Sequence, residues 1–263
     1  MCFSIKKQKL KNKENKMSTE ITKKESTELV DTSMFAGAPS GFEGVDSSTF
    51  KTPFIKILQA LSPELKKNDS KSIAGAEQGQ FCNTASQEVS DELNVIVISI
   101  EHSLVVWRPE RGGLVGRYPK SKESEIVARS EGVKKWDAEG NDIIDTIEFF
   151  CASVDSPGDI FILPMSTTAL KYARGLATRI RMLKADGKPV NVSWAGVWNL
   201  KTSEDSNDKG SWFTVGNTPE FVRFITKEEK EALVMPAMEI LKTAETDYNN
   251  AETATDDDAD VPF

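Results

Sequence analysis

Ile147-Glu148-Phe149-Phe150-Cys151-Ala152, the turn Asp155-Ser156-Pro157-Gly158 and Ile160-Phe161-Ile162-Leu163-Pro164 lead into a stretch with Leu170, Ala173, Leu176, Ala177, Ile180 and Leu183 at helical spacing. Two apolar runs of strand length around a Pro-Gly turn predict a strand pair, and Pro164 ends the second strand. Ser166 or Thr167 can cap the helix that follows, whose six apolar positions gather on one side at about 100° per residue. Lys171, Arg174, Arg179 and Arg181 fall on the other side, and Gly187-Lys188-Pro189 stops the helix.

Further strands flank this unit. On its N-terminal side, Leu93 to Ile100 and Ser103 to Trp107 read as a long, bent strand pair, preceded by Phe81-Cys82 and by a short entry element at Phe54 to Leu58. Arg111-Gly112-Gly113 interrupts the apolar pattern, and Trp136 to Asn141 has the polar, Gly-containing centre of a hairpin turn, so an excursion lies between them. On the C-terminal side, Val190 to Leu200 and Ser211 to Val215 resume strand character around the polar loop Ser203 to Gly210. Thr226 with Glu229 is a capping-box pattern for a last helical segment, which Pro236 splits or kinks.

This order predicts a β-rich α+β fold: an OB-like five-stranded Greek-key barrel with extensions, its helix inserted between the third and fourth strands. The expected organisation is a disordered arm over 1–48, a core over 49–225, a helical segment over 226–244 and a disordered acidic tail over 245–263. Met17-Ser18-Thr19-Glu20 is a second plausible start, so nothing functional is assigned to the first sixteen residues.

The chain has 263 residues and a formal net charge of −8. Its tail from Thr243 carries seven acids and no base, whereas the arm to Lys24 carries eight lysines against Glu14 and Glu20. That leaves about −7 on the residues between, so any site for phosphates must be a local patch. No apolar run is long enough to span a bilayer, and the expectation is a soluble, cytoplasmic protein. Cys2, Cys82 and Cys151 are far apart, with only His102 as a nitrogen partner, which makes a metal site or disulfide framework improbable. No Walker loop, GxSxG, HExxH or GxGxxG is present. Asp142 with Asp145, or Glu92 with Glu101, imitate paired carboxylates of a metal nuclease, but chance supplies such pairs in an acidic chain. The expectation is a non-enzyme with no cofactor.

The tail ends Asp256-Asp257-Asp258-Ala259-Asp260-Val261-Pro262-Phe263. A charge block followed by one aromatic anchor suits a peptide-binding pocket: Phe263 buries its ring, the aspartates steer toward a basic rim and Pro262 limits the conformational entropy given up on binding. The plain alternative is a solvated tail that aids solubility. These eight residues resemble the C-terminal tip of bacterial single-stranded DNA-binding proteins, which ends in aspartates, an aliphatic residue, Pro and Phe. Phage-encoded counterparts also end in acidic residues and Phe. Ala259 and Val261 are mild departures, and the body is longer than a bacterial subunit. The resemblance implies an OB-fold protein that coats single-stranded DNA and recruits polymerases, nucleases, helicases or recombinases through Asp256, Asp257, Asp258, Asp260, Val261, Pro262 and Phe263.

Binding a single strand without sequence preference needs cations for phosphates and flat side chains for bases. Two regions interleave them. The first is Trp107, Arg108, Arg111, Arg117, Tyr118 and Lys120, around two glycines. The second runs through Lys171, Arg174, Arg179, Arg181 and Lys184 and returns at Trp194, Trp198, Lys201, Trp212 and Phe213. Trp194 and Trp198 share a strand face with Val192, Gly196 and Leu200 by the period of two, so core is the stronger reading for both. Trp107, beside Arg108 and the glycines, is the better stacking candidate. Strand annealing within a homo-oligomer, and a non-DNA-binding interaction protein whose acidic tail mimics DNA, remain alternatives.

Overall fold

The computed structural model describes the backbone of residues 53–208, 210–216 and 219–248, with every side chain there except Arg111 and 243–248. The arm at 1–48 and the tail positions Asp256, Asp257, Asp258, Asp260, Val261, Pro262 and Phe263 lie outside the described residues. In chain order the strands are β1 (Ile55–Ile57), β2 (Phe81–Asn83), β3 (Val89–Ser90), β4 (Glu92–Trp107), β5 (Leu114–Pro119), β6 (Arg129–Glu131), β7 (Lys134–Trp136), β8 (Asp142–Ser153), β9 (Ile160–Ser166), β10 (Lys184–Ala185), β11 (Lys188–Pro189), β12 (Gly196–Asn207), β13 (Gly210–Val215) and β14 (Glu220–Phe224). The helices are α1 (Glu123–Ile126), α2 (Leu170–Arg181), α3 (Lys227–Glu229) and α4 (Met235–Tyr248).

The fold is β-rich α+β and OB-like. Its axis is β4, one continuous 16-residue strand where the sequence pattern suggested two. A bulge at Ile98 joins the two apolar runs, because Val97 faces Cys151 and Ser99 faces Phe150. An extra residue bends a strand and raises its twist, which lets β4 serve two neighbours along one edge. Its first half pairs with β12 and its second with β5, while β8 runs along its whole other edge. β9 follows β8, α2 follows β9, and β12 returns to β4, so the helix does sit between the third and fourth principal strands.

The expected strand from Val190 to Leu200 is shorter. Ser193–Ala195 is a 3-10 turn and β12 begins only at Gly196, so Trp194 and Trp198 do not share a strand face.

The central strands are buried on both faces, which explains why Ile147 to Ala152 reads as a nearly continuous apolar run. On the inner face, Val95, Val97, Ile147, Phe149, Cys151, Leu163, Trp198 and Leu200 pack beneath Ala173, Leu176 and Ile180 of α2. On the outer face, Ile96, Ile98, Phe150, Ala152 and Val197 pack beneath Leu233, Val234 and Ala237 of the C-terminal helical segment. That segment starts with the expected capping box. Thr226 Oγ1 accepts from Glu229 N at 3.1 Å, and Glu229 Oε2 accepts from Thr226 N at 2.9 Å. Ahead of Pro236, which cannot donate to a preceding carbonyl, the helix widens into a π turn at Lys230–Val234.

The small sheet β1–β2–β3 closes the curl. The Ile162 N–H donates to the Pro53 carbonyl at 2.9 Å, tying this sheet to β9. At the opposite edge, the Gln59 amide bonds both main-chain groups of Phe213 on β13, at 2.8 and 2.9 Å. Phe213 also fills the space beside Gly79, where a Cβ would lie 2.7 Å from its ring. Only glycine fits that position, the more so as its φ is +91°.

Candidate nucleic-acid interface

The first sequence cluster resolves into structural parts. Trp107 is 2% exposed, the largest of the fully buried side chains, and therefore presents no face for stacking. Arg117 does not face solvent either. Its Nη1 donates to Glu148 Oε1 at 2.8 Å, with side-chain exposures of 9% and 7%, and its guanidinium lies 4.8 Å over the Phe54 ring. Tyr118 packs on Leu104, Val106 and Ile143. Lys120 pairs with Glu123 at 2.8 Å and with Asp145. Arg108 is exposed, its N–H donating to the Gly113 carbonyl at 2.9 Å, and the Arg111 side chain lies outside the described residues.

Asp145 organises this region. Its carboxylate meets Lys120, Lys135 and, at 3.2 Å, the His102 ring. Burial alone would push the Asp145 carboxyl up, but hydrogen bonds from Lys120 and Lys135 override it and hold it below the usual value. Burial likewise disfavours charge on Lys135, and the bonds to Asp145 and Glu123 reverse that, raising the ammonium above its usual range. The cluster pins the excursion of β5, α1, β6 and β7 onto the strands. Asp142, three residues away on the same strand, points to the opposite face, so Asp142 and Asp145 do not converge as a metal pair.

The second cluster divides differently. Lys171 pairs with Asp205 of β12 at 3.0 Å, and the Tyr172 hydroxyl donates to the same carboxylate at 3.0 Å. Arg179 Nη1 donates to the Pro219 carbonyl at 3.4 Å, and Lys201 pairs with Glu92 at 3.1 Å. Trp198 is 2% exposed and meets Phe221 edge-on at 5.6 Å, so it is core. Trp194 is half-buried against the outer cluster, with the Lys230 ammonium 5.5 Å from its ring centre. Phe213 is the closing latch of the small sheet. Trp212 is half-buried on β13 opposite Asp205, which brings it near Lys171 and Tyr172.

What remains for phosphates is narrower. Arg174, Arg181 and Lys184 are exposed and hold no ion pair among the described residues. Lys188 joins them, a residue that the sequence pattern assigned only to a helix stop. Asp186 and Gly187 both have positive φ, 49° and 77°, and make the tight turn that sets β11 beside β10. The signal was available: a polar Asp-Gly pair between lysines is a hairpin pattern. In OB-type barrels the second and third strands commonly face nucleic acid. Here the outer face of their counterparts, β8 and β9, is covered at one end by Leu233 and Val234, while Arg174, Arg181, Lys184 and Lys188 stand exposed on and beside α2.

The model of a family described as Pam3 phage gp34-like protein matches residues 13–231. No curated protein and no solved structure matches the chain. Among the described residues, no helix is long and apolar enough to cross a membrane.

Proposed function

We propose that this chain, which belongs to the Pam3 phage gp34-like protein family, coats and protects single-stranded DNA in replication or recombination and recruits partner proteins through its acidic C-terminal tip. The observation that carries this reading is the set Arg174, Arg181, Lys184 and Lys188: exposed cations with no ion pair among the described residues, on and beside one helix of an OB-like barrel, in a chain of net charge −8. A group of exposed cations without ion pairs on and beside one helix favours a polyanion there, against the repulsion of the acidic body. The tip Asp256 to Phe263 supplies the second half, an anchor ring behind a run of carboxylates, and its partners would be a polymerase, nuclease, helicase or recombinase. In this reading the protein is not an enzyme, needs no cofactor and works in the cytoplasm of the phage's host.

The test is fluorescence anisotropy of a labelled poly-dT oligonucleotide against a duplex control at several salt concentrations. Tighter binding to the single strand, weakening with salt, is the expected result; equal or absent binding removes the reading. One observation favours a strand-annealing variant of it. β14 pairs only with β12 among the described strands, and its Val222 and Phe224 are 49% and 40% exposed, an edge on which copies of the chain can assemble. Annealing of complementary strands by a ring or filament would select that variant.

A further inference from the structure

A cleft of about 390 Å³ opens between the C-terminal half of α2 and the segment Val190 to Ser193. Ile100, Ala177, Ile180 and Val192 give it apolar walls, and Arg181, Asn191 and Ser193 are its polar lining. The segment is fixed in place before any ligand arrives. The Val190 N–H donates to the Leu183 carbonyl at 2.8 Å, and Ser193 Oγ donates to the Ile98 carbonyl at 2.6 Å. Around the cleft the charge is positive: Arg181, Lys184 and Lys188 hold no ion pair among the described residues, and Asp186 is the sole acid between them in sequence. Met182, beside Arg181, is 68% exposed.

We propose that this cleft is a nucleobase pocket that takes one unpaired base of a single strand. The volume lies in the range of small-molecule sites, about 300–1,000 Å³. An apolar slot with a cation at its mouth matches a flat ring joined to an anion, so the base enters between Ala177 and Val192 while its phosphate meets Arg181. The Asn191 amide, which can both donate and accept, faces the polar edge of the base. A base held in a duplex cannot enter, which gives preference for single strands a structural origin on the helix side of the barrel. The pocket rests on the single-stranded DNA reading above and adds a site to it.

The experiment compares a dT oligonucleotide with an abasic oligonucleotide of equal length, which keeps the phosphates and lacks the rings. The full chain is set against Val192→Met, a substitution at the half-exposed rim that fills the slot without adding a flat ring, and Ala177→Leu, which narrows it from the helix. The full chain should bind dT about tenfold more tightly than the abasic strand. Both variants should lose that ratio while keeping their affinity for the abasic strand. Equal binding of dT and abasic strands by the full chain overturns the pocket and leaves the DNA-binding reading intact. Binding of neither removes both. If the variants keep the ratio but the chain lacking residues 255–263 loses its affinity for a synthetic Asp256–Phe263 peptide when Val192 is replaced, the slot belongs to the tail and the nucleobase proposal is overturned.

Discussion

Arg117 and Glu148 form an ion pair at 2.8 Å that is almost wholly out of water, joining β5 to β8 across the sheet. Removing one member of such a pair leaves the other charge buried and uncompensated, at a cost of about 3–5 kcal/mol. Arg117→Ala should therefore lower the urea midpoint sharply. Arg117→Met combined with Glu148→Leu should recover much of the loss, because apolar side chains of similar volume need no partner. A stability loss repaired by the double substitution identifies Arg117 as a structural residue; unchanged stability with weakened DNA binding would return it to the interface.

The Asp145 cluster makes a pH dependence with a definite sign. The carboxyl is held below its usual value in the folded chain, so between the two values the unfolded chain binds more protons and stability rises with pH. The contribution is present above the unfolded value, about 3.9, and is lost as pH falls through the folded one. Unfolding by urea at a series of pH values from neutral to about 3 should show this loss in the full chain and less of it in Asp145→Asn. Identical pH profiles would show that Lys120 and Lys135 gain nothing from this carboxylate.

Long-range pairing explains which parts of the site were legible in the sequence. The barrel was readable because its signals are local: the turn at Asp155 to Gly158, the 3.6 period from Leu170 and the Thr226 capping box each lie within a short window. The charge pairs were not. Arg117 meets an acid 31 residues away and Lys171 one 34 residues away, and neither distance leaves a trace in a run of basic residues. Trp107 misled for a related reason. Its neighbours Arg108 and Gly112 suggest an exposed loop, but Trp107 is the last residue of β4, paired with Asp142, and the loop starts one position later.

Among the cations, the structure separates paired from unpaired ones, and the salt dependence of DNA binding should follow that division. Every phosphate deprived of its cation flattens the slope of log K against log salt by about 0.7 on a single strand. Replacing Arg174, Arg181 and Lys184 together by Gln should flatten the slope by about 2 and weaken binding at low salt. Lys171→Gln should change it little, since Asp205 already holds that ammonium at 3.0 Å. A larger effect from Lys171 than from the triple variant would place the strand at the β12–β13 hairpin, beside Trp212.

If the chain binds single-stranded DNA as proposed, the tail is a competing polyanion on the same molecule. Seven acids follow Thr243, with no base among them, and one basic surface they match in charge is the unpaired set on α2 and the β10–β11 hairpin. A tethered anion competes at an effective concentration in the millimolar range, so it weakens DNA binding most at low salt, where charge attraction is strongest. Deleting residues 255–263 should then tighten binding to dT at low salt, with the gain shrinking as salt rises, and should abolish binding to any protein that docks on Phe263. Unchanged DNA affinity at low salt, with partner binding abolished, would confine the tail to docking and leave Arg174, Arg181 and Lys184 to the DNA alone.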